Sequence, residues 1–322
     1  MKKKIGILTS GGDAPGMNAA IRAAVRTGIF MGAEVYGIKS GYEGLIDGNI
    51  EPMTASSVSD ILHRGGTILR TARSERFMTS EGRQKAAEVL RERGIEDLVI
   101  IGGDGSLNGG MKLSELGINV MGIPGTIDND MAYTERTIGF DTAVNTALSA
   151  ISNVRDTSSS HERTTIIEVM GRNCGDIAVW AGTTSGAESI LIPEVPVDIE
   201  NVCRKVTQGR KRGKLHNIIV KAEGVRLDSG VLAKHIMERT GMETKIVVLG
   251  HVQRGGSPTA VDRMLASSTA FKAVELIADG SERNQAVGMV KGEIVSIPLE
   301  KALKAKKTMD MRCVKMAEIL SI

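Results

Sequence analysis

The chain has 322 residues, more than one hydrophobic core usually serves, so two domains or one domain with a large second lobe are expected. One Trp, three Tyr and four Phe leave a core of Ile, Leu, Val, Ala and the sixteen Met, and rule out extensive base-stacking platforms. A formal charge of +3, from 41 basic and 38 acidic side chains, gives no reason to expect a nucleic-acid or membrane partner.

Met1-Lys2-Lys3-Lys4 runs into a strand pattern rather than the apolar stretch of a signal peptide, and no run approaches the ~18 apolar residues of a membrane helix. Short aliphatic runs follow at 5–8, 98–101, 120–123, 165–169, 218–221 and 246–249. They lack polar alternation, which fits strands covered on both faces. Between them, helical periodicity predicts helices over 17–31, 81–93, 141–155, 200–211 and 258–278. This βαβα rhythm predicts an α/β, doubly wound fold with mainly parallel sheets flanked by helices. Lys291-Gly292 between two apolar stretches predicts a hairpin over 287–298. No low-complexity linker or internal repeat is visible, so a domain crossing is expected within the alternation, at Gly139. Cys174, Cys203 and Cys313 are odd in number and far apart, which favours buried thiols in a reducing cytosol over disulfides or a zinc site. The expectation is a cytoplasmic protein.

Two glycine-rich segments carry the chemistry, each directly after an aliphatic run: Gly102-Gly103-Asp104-Gly105-Ser106 and Pro124-Gly125-Thr126-Ile127-Asp128-Asn129-Asp130. A glycine turn at a strand end lets backbone N–H groups approach phosphate, and neighbouring acids can hold Mg²⁺ or take a proton. Together they suggest phosphoryl transfer. Asp104 and Ser106 have the alternative of merely capping a helix, and the second segment that of an acidic turn. An extended backbone through 126–130 is expected to point Thr126, Asp128 and Asp130 the same way. A third segment, Thr9-Ser10-Gly11-Gly12-Asp13-Ala14-Pro15-Gly16-Met17-Asn18, follows the first strand and opens a helix; Gly12 can donate its amide to phosphate, or the segment is simply a tight turn. Arg163, Arg172, Glu223, Gly224, Lys245, His251 and Arg254 flank strand ends, and Gly250-His251-Val252-Gln253-Arg254-Gly255-Gly256 suits the grip of a dianion. The basic stretches 210–214 and 301–307 read as solvated surface.

These residues resemble the bacterial ATP-dependent 6-phosphofructokinase family over nearly the whole length, in ordered blocks at 6–22, 64–67, 102–106, 124–130, 156–161, 170–172 and 250–258. The resemblance implies a homotetramer using Mg²⁺ and ATP to phosphorylate fructose 6-phosphate. It implies an ATP-binding domain from 1–138 with 252–303, and a fructose 6-phosphate-binding domain from 139–251 with 304–322. By resemblance, Asp128 is the general base and Asp104 the Mg²⁺ ligand, while Gly12, Thr126 and Arg172 act at the transferring phosphoryl group. Gly12, Tyr42, Arg73, Ser74, Gly103, Asp104, Gly105 and Ser106 match nucleotide positions. Thr126, Ile127, Asp128, Arg163, Met170, Gly171, Arg172, Glu223, Lys245, His251, Val252, Gln253 and Arg254 match sugar-phosphate positions, with Arg163 and Lys245 reaching in from a neighbouring subunit. Arg22, Arg26, Ser59, Asp60, Arg155, Glu188, Arg212, Lys214, Leu215 and His216 match an effector site for ADP or phosphoenolpyruvate, although Ala55 falls where the family has a basic residue.

Lys245 stands where relatives have Arg, which predicts somewhat weaker sugar-phosphate binding with intact chemistry. Pyrophosphate-dependent relatives carry Asp and Lys where this chain has Gly105 and Gly125, so both glycines point to ATP. The NAD-kinase and lipid-kinase group shares a Gly-Gly-Asp-Gly loop but not the 250–258 block. A sugar-phosphate or nucleotide sensor is a further alternative, against which the joint presence of Asp104, Asp128 and Arg172 speaks.

Overall fold

The computed structural model describes residues 2–321; Met1 and Ile322 lie outside the described residues. The chain forms two compact units, the first from Met1–Ile127, Met131–Thr142 and Arg254–Lys307, the second from Asp128–Asp130, Ala143–Gln253 and Thr308–Ile322. The chain crossings at 142/143, 253/254 and 307/308 compare with 138/139, 251/252 and 303/304 in the expected division, and Asp128–Asp130 goes with the second unit.

The first unit contains β1 (Lys4–Ser10), α1 (Met17–Phe30), β2 (Glu34–Ile38), α2 (Gly41–Ile46), β3 (Ile50–Met53), α3 (Ser80–Glu92), β4 (Asp97–Gly102), α4 (Asp104–Ser114) and β5 (Asn119–Pro124). The first turn of α5 (Phe140–Ser160) also belongs to it; the rest of α5, β6 (Thr164–Val169), α6 (Asp176–Ser185), β7 (Ser189–Leu191), α7 (Ile199–Lys211), β8 (Asn217–Ala222), α8 (Ser229–Thr240) and β9 (Thr244–Val248) belong to the second. The first unit closes with α9 (Ala260–Asp279), β10 (Gln285–Val290), β11 (Glu293–Pro298) and α10 (Leu299–Lys304), the second with α11 (Met311–Leu320).

In the first unit seven strands take the order β11-β10-β5-β4-β1-β2-β3, parallel from β10 to β2 with an antiparallel strand at each edge. The second unit has four parallel strands in the order β7-β8-β6-β9. The fold class is thus α/β with mainly parallel sheets flanked by helices. Central strands are aliphatic and buried on both faces, as in β5, where every residue is buried. One strand departs from that expectation: β9 is a sheet edge, and its Lys245, Ile246 and Val248 are exposed, the last at 61 %. The expected hairpin is β10–β11, whose turn residues Lys291 and Gly292 both have positive φ, 54° and 79°. Cys174 and Cys203 are buried as expected, but Cys313 is only half-buried; all three are free thiols. Among the described residues no helix is long and apolar enough to cross a membrane.

The helix expected over 141–155 runs on to Ser160. Its serines are retained because Ser149, Ser152, Ser159 and Ser160 each donate back to the carbonyl four residues earlier. At its start, buried Asp262 of α9 accepts from Gly139 N (2.9 Å), Thr142 N (2.8 Å) and the Thr142 hydroxyl (2.5 Å). Burial pushes the Asp262 carboxyl above its ordinary range, while these bonds act to lower it. Asp262→Ala leaves those donors without their acceptor and is expected to destabilise the first unit by about 3 kcal/mol. Urea unfolding measures this, and a change under about 0.5 kcal/mol contradicts it.

Candidate active site

In the first unit the carboxyl ends of β1, β4 and β5 present three loops side by side. Gly102 pairs with Ser10 and with Pro124, and Gly125 N donates to Gly102 O at 3.0 Å. Thr126 lies next to Gly103, since a Cβ at Gly103 meets its side chain at 3.6 Å. Open α/β sheets bind ligands at this end, where helix N-termini carry free N–H groups. Asp104 is the first residue of α4, exposed, with its Oδ2 accepting from Asn108 at 3.1 Å; the helix N-cap is Gly103, which makes no side-chain capping bond. The capping alternative for Asp104 and Ser106 therefore does not apply.

The two glycines that were expected to discriminate between donors behave differently. A Cβ at Gly105 meets nothing within 4 Å, whereas one at Gly125 meets Ile101 at 3.0 Å, Met17 at 3.1 Å and Gly102 N at 3.2 Å. Gly125 thus has a packing reason of its own, and the open space belongs to Gly105.

Gly11 has φ 86°, and a Cβ at Gly12 falls 2.2 Å from the Arg254 guanidinium. Arg254 therefore lies on the glycine loop, and its buried Nε makes no protein hydrogen bond. Asn18 of α1, the last residue of the first-loop motif, is fully buried and holds the 64–68 segment, a role the sequence did not assign to it: its amide donates to Arg64 O and Gly65 O, and its oxygen accepts from Ile68 N at 2.8 Å. A polar residue inside an otherwise apolar helix face was the available signal.

Tyr42 is buried, stacks on Phe77 at 4.0 Å and donates to Ser106 O, so it pins the first turn of α4 from below. Burial pushes its hydroxyl far above the ordinary range. Ser74 is engaged by Glu43 and Phe77 N, and Arg73 is exposed.

In the second unit the carboxyl ends of β6, β8 and β9 carry Met170, Gly171, Arg172, Glu223 and residues 250–253 of the 3-10 turn Gly250–Arg254; His251 and Val252 are exposed. Arg172 Nε lies 3.3 Å from Oδ2 of Asp128, whose side chain is 3 % exposed. The backbone at Arg172 is left-handed (φ 51°) and follows Gly171 at φ 133°. That turn is held by Glu223, whose Oε1 accepts from Gly171 N at 3.2 Å and Arg172 N at 2.8 Å. Gly224 cannot carry a side chain, because a Cβ there lies 1.9 Å from Arg172 O. Buried Gln253 accepts from Met170 N at 2.8 Å.

One expectation fails here. The backbone does not stay extended through 126–130: it bends at Ile127 and Asp128, and Asn129 is left-handed at φ 52°. Alternation cannot persist through a left-handed residue, so Thr126, Asp128 and Asp130 do not share a side by period.

Arg163 and Lys245 lie at the amino ends of β6 and β9, the opposite end of the sheet from Arg172. Both pair with Glu243, a residue the sequence reading did not single out, at 2.5 Å and 2.7 Å. Its bonds to Lys245 and then Arg163 hold the Glu243 carboxyl below its ordinary range.

The expected effector residues form two groups. In the first unit, Arg22 is half-buried and Arg26, Ser59 and Asp60 are exposed, with Ser59 donating to Ala55 O at 3.3 Å. In the second, Arg155 donates to His216 Nε2 at 3.1 Å, so Nδ1 carries the proton that faces Ser159 Oγ at 2.7 Å. Glu188 is buried, pairs with Lys214 at 3.0 Å and accepts from Ile218 N at 2.6 Å, while Arg212 and Leu215 are exposed.

The chain matches the family model "Phosphofructokinase" over residues 4–277. It is 56% identical over 319 residues to an ATP-dependent 6-phosphofructokinase of Clostridium botulinum, covering 99% of each chain. It is 58% identical over 322 residues to one of Alkaliphilus metalliredigens, covering 99% of this chain and 100% of that one. Phosphofructokinase from Saccharomyces cerevisiae superposes with a TM-score of 0.89 at 36% identity; this chain is covered completely and spans 48% of the yeast chain. A pyrophosphate-dependent phosphofructokinase from Marinobacter aquaeolei gives a TM-score of 0.86 at 23% identity, with 99% of this chain and 91% of that chain covered, and speaks to the fold alone.

Burial, and then the Arg155 charge, hold the His216 imidazole below its ordinary 6.5. As pH falls below 6.5 the unfolded chain takes up a proton that the folded chain resists, so stability is lost on the acid side. The drop in thermal midpoint between about pH 7.5 and 5.5 is expected to be smaller in His216→Gln than in the unaltered protein; equal drops contradict this.

Proposed function

The chain belongs to the phosphofructokinase family, and from that premise we propose that it is an ATP-dependent 6-phosphofructokinase, moving the γ-phosphoryl group of Mg-ATP to the 1-hydroxyl of fructose 6-phosphate in glycolysis. The products are fructose 1,6-bisphosphate and ADP. The observation that carries the reading is the near-buried Asp128 carboxylate facing the Arg172 cation at 3.3 Å, at the carboxyl end of the second sheet. A base and a cation paired in this way suit proton removal beside a phosphoryl group in transit.

In this reading Asp128 accepts the hydroxyl proton as the sugar oxygen bonds to phosphorus and the bond to the β-phosphate oxygen breaks. Arg172 and Thr126 stabilise the charge spread over the transferring group, and Gly12 and Gly103–Ser106 offer backbone N–H groups to the donor. Asp104 fits a role as magnesium ligand: it is exposed at a helix start, and Gly105 leaves open space beside it. Such an ion is held by one carboxylate together with phosphates and water. When bound, the ion neutralises phosphate charge. Gly105 favours ATP over pyrophosphate as donor, because its missing side chain keeps that space clear.

Met170, Gly171, Glu223, His251, Val252 and Gln253, with Ile127 and Arg254, complete the proposed sugar-phosphate contacts. Arg163 and Lys245 support a homotetramer in which each serves a neighbour's 6-phosphate, since β6 carries Arg163 at the end away from Arg172. The pairing of Arg155, His216, Glu188 and Lys214 supports an effector site for ADP or phosphoenolpyruvate. A glycolytic reaction on these substrates supports a cytoplasmic location.

A coupled assay with fructose 6-phosphate and Mg²⁺, offering ATP and pyrophosphate in parallel, is expected to show turnover with ATP alone. Asp128→Ala is expected to lower kcat about 10³-fold. Turnover with pyrophosphate alone, or an undiminished variant, overturns the reading.

A further inference from the structure

The loop bearing Asp128 is gripped by the segment that follows β6. Besides the Arg172–Asp128 pair, Cys174 Sγ lies 3.9 Å from Asn129 O, and the Asn129 side-chain amide donates to Asp176 Oδ2 at 2.6 Å. Asn129 and Asp176 are both buried, at 3 % and 8 % exposure. Only an amide nitrogen can face a carboxylate oxygen, so the orientation of Asn129 is fixed by its partner. Asn129 is also left-handed, at φ 52°, a conformation that Asn tolerates better than most residues but that needs holding. Asp176 opens α6 and is thereby set on a regular element, where a carboxylate suits the helix start.

We propose that Asp176 is a positioning residue for the reaction, acting through Asn129 to fix the backbone that aims Asp128 at Arg172. Asp176 touches no reacting group in this scheme. Its contribution is to tie 128–130 to the same rigid segment that carries Arg172, so that base and cation keep their separation whatever the chain on either side does. The inference rests on the reaction proposed above.

Two roles for Asn129 are separable. If it serves only because it accepts a left-handed φ, glycine replaces it without loss. If the tether to Asp176 matters, Asn129→Gly keeps the conformation available and lowers kcat about 10- to 100-fold, with the KM values for fructose 6-phosphate and ATP within about 3-fold. Asp176→Ala is expected to give the same loss, and the double variant no further loss, because one tether cannot be removed twice. Asp176→Asn retains an acceptor for the Asn129 amide and is expected within about 3-fold of the unaltered kcat.

Steady-state kinetics on the four variants and the unaltered protein, with circular dichroism to establish folding, decide the matter. If Asp176→Ala does not fold, the contrast of Asn129→Gly with Asp176→Asn carries the test. Asn129→Gly at full kcat, losses that multiply in the double variant, or Asp176→Asn as impaired as the tetherless Asn129→Gly each overturn the inference. An unaltered protein without turnover of fructose 6-phosphate and Mg-ATP overturns the proposed reaction and this inference with it.

Discussion

The span of one strand governs how the second unit can work. β6 is six residues long, with Arg163 before it and Met170, Gly171 and Arg172 after it. At ~3.3 Å per residue the two ends stand roughly 20 Å apart, more than an extended hexose monophosphate covers. The carboxyl end has a carboxylate and a guanidinium at 3.3 Å, and the amino end has Arg163 and Lys245 balanced on Glu243. Neither end can complete the other within one chain. The reading proposed here resolves this by symmetry, with the amino end of one subunit serving the carboxyl end of another, and Glu243 holding the cations until a phosphate displaces it.

In the proposed reaction the first unit has a different task, bringing backbone close to a phosphate chain without clashes. Its loops at the ends of β1, β4 and β5 use glycine for three separate reasons. Gly12 makes room for the Arg254 guanidinium, Gly125 for the packing of Ile101 and Met17, and Gly105 for nothing the chain itself supplies. The last is the informative one, because in the proposed reaction that space beside a helix start accommodates the donor's phosphates.

The sequence was most legible where burial dictates composition. Strands at 98–101 and 120–123 are aliphatic because both faces are covered, and the Lys291-Gly292 turn is readable because only a few residue types accept positive φ. Helix α4 was harder to read by propensity, since it contains Gly105, Gly109 and Gly110; the latter two are required by Tyr42 and Ile100, which a Cβ approaches to 2.8 Å and 2.6 Å. The loop motifs located Asp104, Asp128 and Arg172, but not the acidic side chains that tie distant segments together. Asp176, Glu243 and Asp262 act through partners between 47 and 123 residues away, or on groups that become neighbours only once the sheet has formed. Nor could alternation in 126–130 foresee the left-handed Asn129, whose side chain is bonded to Asp176, 47 residues away.

The division of labour between the two ends of the second sheet is open to direct measurement by complementation. Asp128→Ala and a Lys245→Ala/Arg163→Ala double variant are each expected to be nearly inactive alone. Co-expressed in equal amounts and purified as hybrids, they are expected to recover about a quarter of the unaltered activity, because sites that draw an intact base from one subunit and intact cations from another re-form at random. Activity no greater than the average of the two parents contradicts the account and confines the site to a single chain.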